Sequence, residues 1–313
     1  LDFNPDPDDE TAPVPRPIAT AHPQSIPAGT STISDQAGQV LFYTDGQSVW
    51  DLNGTLMENG SAIGGSNTAS QAVLAVPVPT QSTLFYLFTT QSSGSGTNVV
   101  SYSLVDIKAE NTTGVGNVVT KNNFLFSPST EHSAALSAGD TTWVLFHELG
   151  NNTFRAYPVS SQGIGQSVNS SVGSIHGYNS GVGAMKFSPD GSKLAITISE
   201  GGCNRTEIFE FNQQTGALTE YALLDLGCSG DIYGLEFSSD SDRILVSYRN
   251  GGPGIEEYII KEVTSGCPSC FASATTAEAR ATCILSTQKV LIGTSGLNLG
   301  ALQIASDGQI YVA

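Results

Sequence analysis

Four histidines, His22, His132, His147 and His176, are the side chains whose unperturbed pKa suits proton transfer near neutral pH. No two of them stand at HxH or HExxH spacing, which would bring paired imidazoles onto one metal, and no GxSxG elbow offers a nucleophile. Glu131-His132 and His147-Glu148 are acid–base neighbours in sequence. In an extended chain adjacent side chains point to opposite faces, so neither pair converges by itself. The opening LDFNPDPDDE gathers Asp2, Asp6, Asp8, Asp9 and Glu10. Calcium prefers such oxygen clusters, but the loop pattern closed by a glutamate is absent, and the segment reads as an acidic lead-in. No catalytic set, metal set or cofactor is implied, and the expectation is a protein that is not an enzyme.

The cysteines offer a second chemistry. Cys203, Cys228, Cys267, Cys270 and Cys283 all lie in the C-terminal half. Cys267-Pro-Ser-Cys270 has the spacing of half a zinc site or of a redox pair. Zinc needs four ligands and only Cys283 lies near, while a redox pair wants a helix N-terminus in a thioredoxin-like setting. Disulfides are the better reading. Cys203 and Cys228 flank the outer strands of one repeat and form the preferred bridge. Cys283 pairs with Cys270 or with Cys267; the first choice leaves Cys267 spare, for pairing elsewhere in a longer chain or between subunits.

The elements that must position these groups are β-strands. FSPDGSKLAI at 187, FSSDSDRILV at 237, IASDGQIYVA at 304 and ISDQAGQVLFYTDG at 33 are four versions of one hairpin. Weaker copies run from 72 to 90 and from 133 to 148. Each of the earlier hairpins is followed by a strand of alternating apolar residues, as in VVSYSLVDI at 99, TFRAYPV at 153, EIFEFNQQTG at 207 and GIEEYIIKEV at 254. In SPDGS, Pro189 presets φ and Gly191 takes the positive φ. Asp190, Asp240 and Asp307 cap their own turns, with Gly308 in the last.

Units of about 50 residues that cannot bury both faces alone must stack around an axis. The expected class is therefore all-β: a β-propeller of four-stranded antiparallel blades. Seven blades with the last cut short is the first choice, and six the second. Residues 1–30 form an acidic, Pro-rich lead-in that offers a ring-closing strand, and 31–313 form the propeller. Residues 263–286 are a Cys-rich insertion in which TTAEARATC predicts a short helix on a propeller face.

Acidic residues outnumber basic ones 29 to 12, a formal charge of −17, so nucleic acids and anionic membranes are poor partners. No run of 18 apolar residues exists to insert in a membrane as a helix. Six sequons, at Asn53, Asn59, Asn111, Asn151, Asn169 and Asn204, are candidate glycosylation sites. With the low lysine content and clustered cysteines they favour an extracytoplasmic protein. The chain opens in mid-motif and stops inside a strand pattern, as the processed part of a longer precursor would.

One ordered set of motifs brings a family into view. Phe42 to Trp50 (FYTDGQSVW), Met57-Glu58-Asn59-Gly60, Ser70 to Thr89, Thr130-Glu131, Gly183 to Ala195 and Leu299 to Ala313 follow one another through nearly the whole chain, after an opening LDFN. The set resembles the propeller modules of large Bacteroidota surface proteins linked to gliding motility and type IX secretion. That resemblance implies a secretory signal before Leu1, often a distant C-terminal sorting domain, and no established catalytic residues. The functional expectation is a secreted cell-surface binding or adhesion module for a glycan or protein ligand. The alternatives are a self-assembling subunit of an extracellular filament, sheath or surface layer, and a polysaccharide lyase or hydrolase.

Overall fold

The computed structural model describes residues 28–35, 37–95, 98–110, 115–261, 269–293, 298–305 and 308–312. The lead-in to residue 27 and the expected roles of Cys267, Asn111 and Asp307 lie outside the described residues.

The hairpins of the sequence are the inner strands of successive blades. The first blade holds β1 (Ser31–Ser34), β2 (Val40–Thr44), β3 (Ser48–Asp51) and β4 (Leu56–Ser61). The second holds β5 (Val73–Pro77), β6 (Leu84–Thr89), β7 (Val100–Glu110) and β8 (Val115–Phe126). In the third, β9 (Ser129–Ala138), β10 (Thr141–Glu148) and β11 (Thr153–Ser160) are edged by a split strand, β12 (Gly163–Ile164) and β13 (Val168–Ser171). The fourth comprises β14 (Met185–Phe187), β15 (Lys193–Glu200), β16 (Cys203–Phe211) and β17 (Leu218–Asp225). The fifth comprises β18 (Asp231–Phe237), β19 (Arg243–Arg249), β20 (Ile255–Ile259) and β21 (Lys289–Ile292). A last hairpin, β22 (Leu302–Ile304) and β23 (Ile310–Val312), starts a sixth. Within each blade the strands pair antiparallel in chain order. Innermost strands follow one another around an axis, from β1 through β5, β9, β14 and β18 to β22.

The fold is a β-propeller. Its described residues form six blade units, the smaller of the two numbers expected.

Stacking explains the long apolar runs. Among the described residues, one cluster fills each of the five gaps from blades 1 and 2 round to blades 5 and 6, and alternate residues of a strand serve opposite gaps. On β10, Trp143 and Leu145 pack toward the fourth blade while Val144 and Phe146 pack toward the second. On β19, Ile244, Val246 and Tyr248 face the fourth blade and Leu245 the sixth. Period two thus survives where both faces are buried. Gly216 shows how close the blades come: its φ is 74°, and a Cβ there would stand 2.5 Å from the Trp143 ring. Blades 1 and 2 are also joined at their outer edges, by a parallel bridge of Glu58 with Asn117 and by Asn59 Nδ2 donating to the Val118 carbonyl at 2.8 Å.

The predicted helix forms as α1 (Ala277–Leu285), capped by Thr276 Oγ1, which accepts from the Ala279 amide at 3.2 Å. It does not lie on a face of the disc. Ala281 and Ile284 enter the cluster between blades 4 and 5, and Arg280 Nε donates to the Tyr221 carbonyl of β17 at 2.8 Å. Burying Ala281, Cys283 and Ile284 outweighs an exposed position on a loop. Among the described residues no helix is long and apolar enough to cross a membrane.

Both disulfides on the first-choice pairing are present, Cys203–Cys228 and Cys270–Cys283. They place the chain in an oxidising compartment, periplasmic or extracellular. The first ties the start of β16 to the residues just past β17. Cys203→Ser is expected to cost about 2–5 kcal/mol, read as a lower thermal midpoint that reductant reproduces in the unmodified protein. Equal midpoints with and without reductant would show that this bridge contributes nothing.

A channel lined by all six blades

The innermost strands surround a channel of about 700 Å³, within the ~300–1,000 Å³ range of small-ligand sites. Ser31 of β1, Val73 of β5, Ser133 of β9, Lys186 of β14, Tyr233 of β18 and Gln303 of β22 contribute one wall each. Small and polar side chains from every blade share this wall with Val73, Leu74, Leu299 and Leu302.

Three side chains buckle the blades together around this channel. Gln71 Oε1 accepts from the Ser133 amide at 3.1 Å and the Met185 amide at 2.9 Å, while its Nε2 donates to the Met185 carbonyl at 3.2 Å. Glu131, 2 % exposed, accepts from the Ser70 amide at 2.6 Å, the Ser70 hydroxyl at 3.0 Å and the Ser93 amide at 2.8 Å. Glu236 accepts from Lys186 Nζ at 3.2 Å and the Ile304 amide at 3.0 Å, and Lys186 also donates to Gln303 Oε1 at 2.8 Å. Each buried carboxylate is thus matched by donors from a neighbouring blade, which burial of a charge requires.

At one end of the wall, the Arg249 guanidinium lies 3.9 Å above the Tyr233 ring. Burial pushes the Tyr233 phenol up; Arg249 lowers it and Glu131 raises it. Arg249 Nε is buried without a hydrogen-bond partner. Arg249 also lines an adjoining cavity of about 270 Å³ with Asp231 and Ser199.

Three of the four histidines meet between blades 3 and 4, although their spacing in sequence gave no such sign. His132 of β9, His147 of β10 and His176 of the β13–β14 connection are all fully buried. The His147 and His176 rings stack at 3.8 Å, and His132 stands edge-on to His176 at 5.8 Å. His147 Nδ1 donates to the Glu148 carbonyl at 2.6 Å. His132 Nε2, His147 Nε2 and both ring nitrogens of His176 lack a hydrogen-bond partner. Burial pushes His132 and His147 well below the ordinary imidazole range, and the neighbouring His176 adds to it.

Glu207 Oε2 stands 3.8 Å from His176 Nε2. Burial raises the Glu207 carboxyl, but His176 and the Ser174 amide hold it below its usual value. Lone pairs of stacked rings run side by side instead of converging, and among the described residues no group of three or more His, Cys, Asp or Glu is arranged to hold a metal. The cluster is sealed from the channel, so it presents no general base to a ligand there.

The blade turns are built as the sequence suggests. Asp190 Oδ1 accepts from the Ser188 hydroxyl at 2.6 Å and the Ser192 amide at 2.9 Å, and Gly191 takes φ 68°. Asp240 Oδ1 accepts from the Ser238 hydroxyl at 2.5 Å and the Asp242 amide at 3.0 Å. Ser241 fills the place of Gly191 at φ 61°; its hydroxyl accepts from the Asp190 amide at 3.1 Å and joins the two turns. Gly308 also takes a positive φ, 77°.

The sequons divide. Asn53 and Asn169 are exposed. The amide nitrogens of Asn59 and Asn151 are engaged, by the Val118 carbonyl and by Glu148 Oε2 at 2.6 Å. Asn204 is withdrawn as a glycosylation candidate. It is fully buried, its Nδ2 donates to the Ser229 and Gly230 carbonyls, and its Oδ1 accepts from the Ile232 amide at 2.8 Å. A sugar there would displace the connection between blades 4 and 5.

Comparison with protein-family models and with curated proteins gave no match. Solved structures do match. A glucose dehydrogenase structure is 11 % identical and aligns over 92 % of this chain and 94 % of its own, with a TM-score of 0.52. Kuenenia stuttgartiensis hydrazine synthase is 13 % identical over 90 % of this chain and 82 % of its own, at TM-score 0.49. A periplasmic gluconolactonase of Pseudomonas aeruginosa is 14 % identical over 87 % and 73 %, at 0.48. Identities this low speak for the fold alone.

Proposed function

We propose that the chain is a secreted cell-surface binding module that recognises a glycan through its central channel, without turning it over. The carrying observation is the channel itself. Six blades contribute polar side chains to it, and its described wall holds no histidine, cysteine or carboxylate to act as base or nucleophile. The motif resemblance to Bacteroidota surface modules supports the same reading, as do the disulfides and the exposed Asn53 and Asn169. A panel of surface and dietary polysaccharide fragments, incubated with the purified protein, tests it. Saturable binding with no release of reducing ends or unsaturated sugars is expected. Product formation in proportion to protein would make it a lyase or hydrolase.

One observation favours the filament reading as the second. β21 is an edge strand whose Val290, Leu291 and Ile292 are 51, 39 and 45 % exposed. An apolar open edge is a template for another chain. Ordered polymers in electron micrographs of the native protein would favour that reading, and discrete particles the first.

A further inference from the structure

The charges around the channel run against those of the whole chain. The protein carries 29 acidic and 12 basic residues. Yet the described wall holds two cations, Lys186 and Arg249, and no carboxylate. Lys186 is satisfied by Glu236 and Gln303. Arg249 is not: among the described residues no carboxylate forms an ion pair with it, and its Nε is buried and unpartnered.

The acids that could serve it are held elsewhere. Asp231, opposite Arg249 in the β18–β19 register, accepts from Asn250 Nδ2 at 2.6 Å and from the Ser199 hydroxyl at 3.3 Å. Glu131 is committed to Ser70 and Ser93. Tyr233 packs against the guanidinium from one face, and Arg249 is part of the channel wall. A planar fork of N–H donors that, among the described residues, has no carboxylate partner suits a carboxylate ligand.

We infer that Arg249 is the anchor for the carboxylate of an acidic sugar, a hexuronate residue of the glycan, whose hydroxyls meet Gln71, Ser133 and Asn298 along the same wall. The inference rests on the channel being the glycan site. Gln71, Ser133, Asn298 and Gln303 share the wall with Arg249, and their amides and hydroxyl suit the hydroxyls of a sugar, while Val73, Leu299 and Leu302 offer its ring an apolar face.

Isothermal calorimetry with sodium glucuronate, galacturonate, mannuronate and guluronate and their short oligomers, against the methyl esters and neutral hexoses, tests it. At least one uronate is expected to bind, its ester at least ~10-fold more weakly, since a charged hydrogen-bonded pair is lost. Arg249→Gln should lose the same factor with an unchanged thermal midpoint, and Arg249→Lys should not restore it. Thr30→Trp, which fills the channel from an exposed wall position, separates the two ideas. If Thr30→Trp abolishes binding while esters and Arg249→Gln bind normally, the channel stands and the carboxylate inference falls. If binding survives Thr30→Trp as well, both fall. A preference for acetyl-amino acids over every uronate would also overturn the sugar assignment.

Discussion

Lowering the pH from 6.5 to 4.5 is expected to destabilise the protein, because two buried imidazoles are held neutral in the fold. His132 and His147 are neutral in the fold because burial disfavours their charged forms. In the unfolded chain each takes up a proton near pH 6.5. Their folded pKa values lie lower, so the stabilisation is complete above pH 6.5. It drains away as the pH falls toward the folded values, at roughly 1.4 kcal/mol per pH unit for each group.

The groups that face the cluster do not rescue it. Glu207 is the carboxylate against His176, and Glu148 is paired with Arg155. Because Glu207 is itself held low, its own contribution is lost only at more acid pH, below the ordinary carboxylate range. Denaturant midpoints at pH 7.5, 6.5, 5.5 and 4.5 check this. The midpoint should hold between the first two and fall through the others, and a flat profile would show that the imidazoles find partners on protonation.

Glu131→Ala is expected to cost roughly 2–4 kcal/mol. The carboxylate is the shared acceptor for the Ser70 and Ser93 amides, and truncation strands the buried Ser93 donor. The Ser70 hydroxyl, which also accepts from the Gly183 amide at 3.1 Å, loses its anchor, so the disturbance reaches the channel wall on the fourth blade. Glu131→Gln keeps one acceptor oxygen and should cost about half as much. Urea unfolding of both variants reads the effect. Equal midpoints for the two would show that the single remaining acceptor oxygen and the side chain's shape contribute nothing to this junction.

The blades were legible because their signal is local. SPDGS and SSDSD specify a turn within five residues, and period two along KLAITISE or RILVSYR specifies two faces. The helix was equally legible from Thr276, Glu278 and the run of helix formers. Its position was not, since the wedge between β17 and β20 depends on contacts far apart in sequence.

The histidine cluster had a signal that went unused. His132 and His147 are equidistant from the Gly139-Asp140 turn, so the hairpin carries both to the same end, although the β9–β10 register shifts just beyond Phe146 and Ser133 and does not pair them directly. His176 joins from a connection with no periodicity to read. Arg249 was invisible for another reason. Its significance lies in what fails to pair with it, which only the packed blades reveal. Asn204 shows the reverse error: a sequon is three residues, and burial is a property of the whole fold.

The most direct test of the channel as the recognition site is a crystal structure of the protein with a saccharide bound from the panel. The account predicts the sugar on the axis, with its carboxylate on Arg249 and its hydroxyls on Gln71 and Asn298. A sugar seated on the outer strands or on the rim near α1, with the channel holding only water, would contradict it.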